Sequence, residues 1–198
     1  MEMKLKHRLL SMVLSLLMVL SLIPATVFAA DESATAVAKI GEVGYDSLDA
    51  AIAAANDGDV VLLDADITSV GAPVTVPAGV TATLDLNGHT LMVSKYTAKK
   101  DQVLVEGNLT LTDSAGTGKV CSDYTGTAGR VVSVLENGSL QLAGGTITTE
   151  GMEKSGIAVY VGGSGSFTLT GGTVYADAKR GNAAVNAVSA TGKVEIVG

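Results

Sequence analysis

Tryptophan is absent from this 198-residue chain, aromatic residues amount to 4%, and there are three prolines and a single cysteine, Cys121. One cysteine excludes an intramolecular disulfide framework. Basic residues are also scarce, 13 Lys and Arg against 20 Asp and Glu, for a formal net charge of −7. An acidic surface of this kind disfavours nucleic acid and anionic membranes as partners. What the chain has in quantity is glycine, 24 residues, within a 47% hydrophobic composition. That is a turn-rich β composition without the low hydrophobicity of a disordered one.

The one long apolar run is N-terminal. Lys4, Lys6 and Arg8 form a basic stretch, Leu9 to Ile23 is apolar over 15 residues, and Pro24 leads to the small-residue site Val27-Phe28-Ala29. This is the layout of a secretory signal peptide, residues 1–29, with cleavage expected after Ala29. Fifteen residues interrupted by three serines fall short of the roughly 20 that a spanning helix needs, so no stable membrane insertion is expected after cleavage. No cysteine lies near the site to carry a lipid. Removing residues 1–29 takes away Lys4, Lys6, Arg8 and Glu2, leaving 10 basic against 19 acidic residues and a formal charge of −9.

From residue 79 onward the chain repeats itself. The copies read Leu84-Asp85-Leu86-Asn87-Gly88-His89-Thr90-Leu91, Leu140-Gln141-Leu142-Ala143-Gly144-Gly145-Thr146-Ile147 and Phe167-Thr168-Leu169-Thr170-Gly171-Gly172-Thr173-Val174. A looser copy starts at Leu109 and a last one at Val194. Anchored on Leu84, Leu109, Leu140, Phe167 and Val194, the spacings are 25, 31, 27 and 27 residues. A period in this range marks a solenoid, whose units bury their apolar sides only against one another. Apolar and polar residues alternate within each copy, the period of a strand with one buried face. Further strands precede the copies, at Val103–Val105, Val132–Val134, Ile157–Val161 and Val185–Val188.

Three short strands per coil predict a parallel β-helix with interior ladders, one of them Leu86, Leu111, Leu142, Leu169 and Ile196. Counting back four residues from Gly107, Gly138, Gly165 and Gly192 matches Val103, Val134, Val161 and Val188. An antiparallel sandwich would join its strands by hairpins and has no reason to repeat Leu-x-Leu-x-Gly-Gly-Thr.

Residues 37–58 predict an N-terminal strand and a capping helix. Asp46 or Ser47 can cap a helix through Leu48–Ala55, which Asn56-Asp57-Gly58 ends. The run Ser47-Leu48-Asp49-Ala50-Ala51-Ile52, with Gly58-Asp59-Val60-Val61-Leu62 and the Gly-rich rungs after it, resembles the N-terminal cap of pectin-lyase-like right-handed β-helix proteins. Leu84–Leu91 is similar to rungs of large secreted bacterial surface proteins in that superfamily. The resemblance implies an all-β, right-handed parallel β-helix over residues 37–198. It implies no single activity, because lyases, hydrolases, adhesins and passive stalks share the fold. The organisation expected is a signal peptide (1–29), a linker (30–36), the cap (37–58) and coils (59–198). The coils are expected to be incomplete, because Gly198 aligns with Gly144 and Gly171 inside the motif.

No motif supplies a cofactor or metal. Gly162–Leu169 resembles a calcium-binding nonapeptide, but Phe167 stands where an Asp must ligate. Gly116-Thr117-Gly118-Lys119 lacks both the upstream glycine and the Ser or Thr of a phosphate loop. Asp57, Asp59, Asp64 and Asp66 read as turn acids. His89 reads as a corner residue tolerant of positive φ, and Cys121 as an outward surface thiol. Asn108-Leu109-Thr110 and Asn137-Gly138-Ser139 match a glycosylation pattern and also suit turns. Glycosidases pair carboxylates across one bond. On the outward ladder Asp85–Thr110–Gln141–Thr168–Glu195 the two acids would lie about 19 Å apart at ~4.8 Å per rung, too far for that chemistry.

Each coil lets a loop out along one edge: Ser94–Gln102, Ser122–Arg130, Thr149–Gly156 and Ala176–Ala183. The candidate ligand-binding residues there are Tyr96, Lys99, Tyr124, Arg130, Lys179 and Arg180, with Tyr96 and Tyr124 as stacking platforms. The partner expected is an extracellular or cell-wall polysaccharide, or a host-surface glycan. Two functions follow: a non-enzymatic stalk or adhesin segment, or the N-terminal part of a polysaccharide lyase or glycoside hydrolase.

Overall fold

The computed structural model describes residues 36–70, 72–94, 101–176, 183–187 and 193–196. The chain divides into two units, residues 1–35 and 36–198, and all the described residues belong to the second. The expected signal peptide and all of the linker but residue 36 lie outside them. No helix among the described residues is long and apolar enough to cross a membrane.

The fold is an all-β parallel β-solenoid with one short helix among the described residues. A hairpin, β1 (Ala38–Ile40) and β2 (Val43–Tyr45), precedes α1 (Leu48–Ala54). The first coil is β3 (Val60–Leu63), β4 (Ile67–Val70) and β5 (Val74–Val76). The second is β6 (Thr81–Asp85), β7 (Thr90–Ser94) and β8 (Asp101–Val105). The third is β9 (Asn108–Thr112), β10 (Lys119–Ser122) and β11 (Gly129–Val134). Then come β12 (Ser139–Leu142), β13 (Thr146–Thr148) and β14 (Gly156–Val161). They are followed by β15 (Ser166–Leu169), β16 (Thr173–Tyr175), β17 (Ala183–Ala187) and β18 (Lys193–Ile196).

Equivalent strands stack into three sheets, β2-β1-β3-β6-β9-β12-β15-β18, β4-β7-β10-β13-β16 and β5-β8-β11-β14-β17. Among the described residues every pairing is parallel except those of the hairpin, where β1 runs antiparallel to both β2 and β3. The sandwich alternative is thereby excluded.

Register turns the alternation of each strand into interior columns. In the first sheet Val61, Leu84, Leu111, Leu142 and Leu169 stand in one line, and Ala82, Leu109, Leu140 and Phe167 in the next. The second sheet contributes Ile67, Leu91, Val120, Ile147 and Val174. The third contributes Val76, Val105, Val134 and Val161. Phe167, Leu140, Leu142 and Ile147 are completely buried, and each such side chain contributes roughly 1.5–3 kcal/mol.

Two predicted ladders are corrected by register. Leu84, not Leu86, pairs with Leu111. The corner after β6 is two residues longer than the one after β12, and Leu86 fills its interior, fully buried. Likewise Val105, not Val103, pairs with Val134. Only Glu106 separates Val105 from Gly107, whereas Leu135, Glu136 and Asn137 separate Val134 from Gly138. Those glycines are required by close approach. A Cβ on Gly107 would lie 2.3 Å from the Pro77 carbonyl oxygen, and one on Gly138 2.3 Å from that of Val105.

Ser47, rather than Asp46, caps α1; its side chain accepts a hydrogen bond from the Ala50 N–H. Leu48, Ala51 and Ile52 are the buried face of the helix, lying against the first-coil apolar residues in one continuous core.

Replacing Leu142 by Ala should cost about 2–5 kcal/mol. Replacing its exposed neighbour Gln141 should stay within about 0.5 kcal/mol. Urea denaturation of the two variants checks the inward and outward assignment, and equal midpoints would contradict it.

Candidate functional site

Two of the expected binding residues, Tyr124 and Arg130, fall among the described residues, and they are placed differently. Tyr96, Lys99, Lys179 and Arg180 lie outside the described residues. Tyr124, expected as a stacking platform, is 8% exposed and belongs to the core. Its ring lies under its own loop, where Cβ atoms on Gly126 and Gly129 would come within 2.3 and 2.4 Å of it. The Ser122 hydroxyl fixes the loop's start, donating to the Val93 carbonyl and accepting from the Tyr124 N–H. In the next loop Met152 is buried in the same way. Both excursions therefore tuck an apolar side chain inward, because a loop leaving between two sheets exposes the core unless something plugs the gap.

Arg130 is placed differently. It lies on β11, half-buried, and its side chain ties three coils together. Nη1 donates to Asp101 Oδ1 of the preceding coil at 3.0 Å, and the guanidinium carbon sits 3.3 Å from the ring centroid of Tyr160 in the following coil. The Ser133 hydroxyl donates to the same Asp101 oxygen at 2.6 Å. A guanidinium held between a carboxylate and an aromatic face is set in one orientation before any ligand arrives.

Beside this pair runs a groove of about 470 Å³. Arg130 and Tyr160 form one wall. The other is the corner where the third sheet turns into the first, with Ala78, Glu106, Glu136 and Gly163. These corner residues belong to successive coils, so the groove runs along the solenoid axis. Tyr160, Glu106 and Glu136 were not among the predicted site residues, although signals for them exist. Tyr160 is the polar-tipped outward residue between buried Val159 and Val161, and both glutamates closely precede a repeat glycine.

Several other acids hold turns or pair with neighbouring strands. Asp85, expected on the outward ladder with Thr110, instead pairs with Thr112, and Thr83 takes the predicted place. The Asp85 carboxylate is buried and accepts from the N–H groups of Asn87 and Ser114 at 2.8 and 2.9 Å. Asp113 accepts from Gly88 and Gly118. Asp64 pairs with Lys39, and Asp59 accepts from the Asn56 N–H. Among the described residues no group of three or more His, Cys, Asp or Glu could hold a metal ion.

His89 does not have positive φ, contrary to expectation; Asn87 and Gly88 carry it. His89 Nδ1 lies 3.3 Å from Asp66 Oδ1, which also accepts the Thr90 N–H at 2.8 Å. That backbone hydrogen bond chiefly holds the Asp66 carboxyl below its ordinary value, with desolvation opposing and His89 and Lys119 assisting. Asn137 does occupy a positive-φ turn, whereas Asn108 begins a strand.

Cys121 is corrected from a surface thiol to a buried one, 5% exposed. It pairs in register with Met92 as aligned, yet it stands outside the interior cluster that holds Val120. Burial pushes its thiol up; Lys119 opposes this, while Glu150 and Asp123 add to it.

Set against family models, curated proteins and solved structures, the chain matches none of them.

Two outcomes follow. The Cys121 thiol should react with iodoacetamide slowly in the native protein and rapidly in denaturant, because the thiolate is the nucleophile and is disfavoured by burial. Equal rates, followed by mass spectrometry, would contradict its burial. The lowered Asp66 value stabilises the fold above the ordinary carboxylate pKa, and that contribution is lost as pH falls through the folded value. Asp66→Asn should therefore be slightly less stable than wild type at neutral pH and converge with it in acid, as read from denaturation midpoints across pH. The effect is small because the carboxylate is largely exposed.

Proposed function

We propose that this chain is an exported, non-enzymatic segment of a surface protein of the pectin-lyase-like type, and that it holds a carbohydrate polymer along its axis. The polymer would be an extracellular or cell-wall polysaccharide, or a host-surface glycan. The signal-like layout of residues 1–29 supports export, and the capping run followed by Gly-rich coils supports the superfamily. The observation that carries the binding reading is the fixed Arg130–Tyr160 pair on the wall of the axial groove. Its volume of about 470 Å³ falls within the usual range for ligand clefts. From Ala78 to Gly163 it crosses four coils, about 14 Å at the strand spacing. That suits a short stretch of extended polymer better than a single sugar.

Arg130 can donate its free N–H groups to sugar hydroxyls while Asp101 holds it in place. The edge of the Tyr160 ring offers an apolar border for a pyranose. Arg130→Ala and Tyr160→Ala should each weaken retention on a glycan array roughly 10-fold, the loss of a charge-assisted hydrogen bond or of its positioning. Tyr175→Ala, an exposed ring on the second sheet, should have no effect. Unchanged retention in both groove variants would sink the reading.

A second reading, a polysaccharide lyase or glycoside hydrolase, draws on Glu106 and Glu136 lining the same groove. It would require glycan cleavage that is lost when either glutamate becomes glutamine.

A further inference from the structure

The groove has a charge balance that a generic sugar site does not need. Among the described residues Arg130 is its only basic lining residue, and its charge is already met by Asp101 at 3.0 Å. Glu106 and Glu136 remain, both exposed at the corner and one coil apart. Together these four side chains carry a formal charge of −2, on a protein that is itself acidic.

The neighbouring glycines let the acidic wall lie close to the aromatic one. A Cβ on Gly163 would fall 2.7 Å from Glu136 Cγ, and one on Gly162 2.7 Å from Tyr160 Cε1. Bare backbone therefore allows the Glu136 stem to lean over the next coil, toward the coil that carries Tyr160. Ala78, the other end of the corner series, is likewise small. Along the groove the two carboxylates thus have Ala78 before them and Gly163 after them, with Leu135 between Glu106 and Glu136.

Resting on the carbohydrate-binding reading, we infer that the polymer this groove takes is a cationic amino sugar chain, in which unacetylated hexosamine ammonium groups meet Glu106 and Glu136. An ammonium placed between the two glutamates gains charge-assisted hydrogen bonds. A uronate chain in the same place sets carboxylate against carboxylate, which costs affinity. A neutral or N-acetylated chain gains the Arg130 contacts alone.

The test is titration calorimetry of the protein with tetramers of glucosamine, N-acetylglucosamine and galacturonate, and with tetralysine. The glucosamine tetramer should bind about 10-fold more tightly than its N-acetylated form, and the galacturonate tetramer most weakly. In the Glu106→Gln/Glu136→Gln variant that preference should fall by a similar factor, and raised salt should erode it in wild type. Galacturonate binding best, a preference unchanged in the double variant, or tetralysine binding as tightly as the sugar would each overturn the inference. If both hexosamine tetramers bind equally and both are lost in Arg130→Ala, the inference falls and carbohydrate binding stands. If no oligosaccharide binds, both fall.

Discussion

Everything in this protein depends on the hydrogen bonds that hold each strand directly against its counterpart in the next coil. A parallel ladder at about 4.8 Å spacing lets no residue choose its neighbours independently. Once Leu140 is set against Phe167, Gln141 must meet Thr168 and Leu142 must meet Leu169. The same constraint that lines up the apolar columns inside also sets Glu106, Leu135 and Gly162 in one line outside, with Glu136 beside Gly163 one position further on. The groove is thus a by-product of register, and its walls need no element of their own.

Strands cannot absorb a change in length without turning inside out, since a one-residue slip reverses every side chain. The corners absorb it instead. The corner after β6 takes two extra residues by burying Leu86, with Asp85 and Asp113 accepting the N–H groups that such a turn leaves over. The corner after β8 is shortened to Glu106, which Gly107 makes possible by letting two backbone segments approach. Carboxylates that might suggest chemistry in a linear reading are spent on these turns. Glu106 and Glu136, which accept none of these turn hydrogen bonds, line the groove.

The sequence was legible where the spacing is constant. Copies 27 residues apart, at Leu140, Phe167 and Val194, pair as counted. Between Leu84 and Leu109 the spacing drops to 25, and counting puts Asp85 opposite Thr110 when it stands opposite Thr112. Alternation identifies which residues face inward but says nothing about how many residues a corner holds. The site was less legible still. Arg130 stood out as a basic residue near a loop, but its partner Tyr160 sits in a strand that reads as core. Tyr124 looked like an exposed ring because nothing in the linear chain announces that a loop will fold back over a gap between sheets.

The ties that Arg130 makes to coils on either side have a mechanical meaning. In a solenoid the strand-to-strand hydrogen bonds point along the axis, so tension applied along that axis pulls on them directly instead of shearing them. A chain stretched this way comes apart one coil at a time. With 27 residues between copies, each step would pay out about 90 Å of slack at the extended length per residue. Arg130, joined to Asp101 behind it and Tyr160 ahead, stitches three coils into one block, so rupture there would come as a larger, later event than the peeling of coils that lack such a stitch.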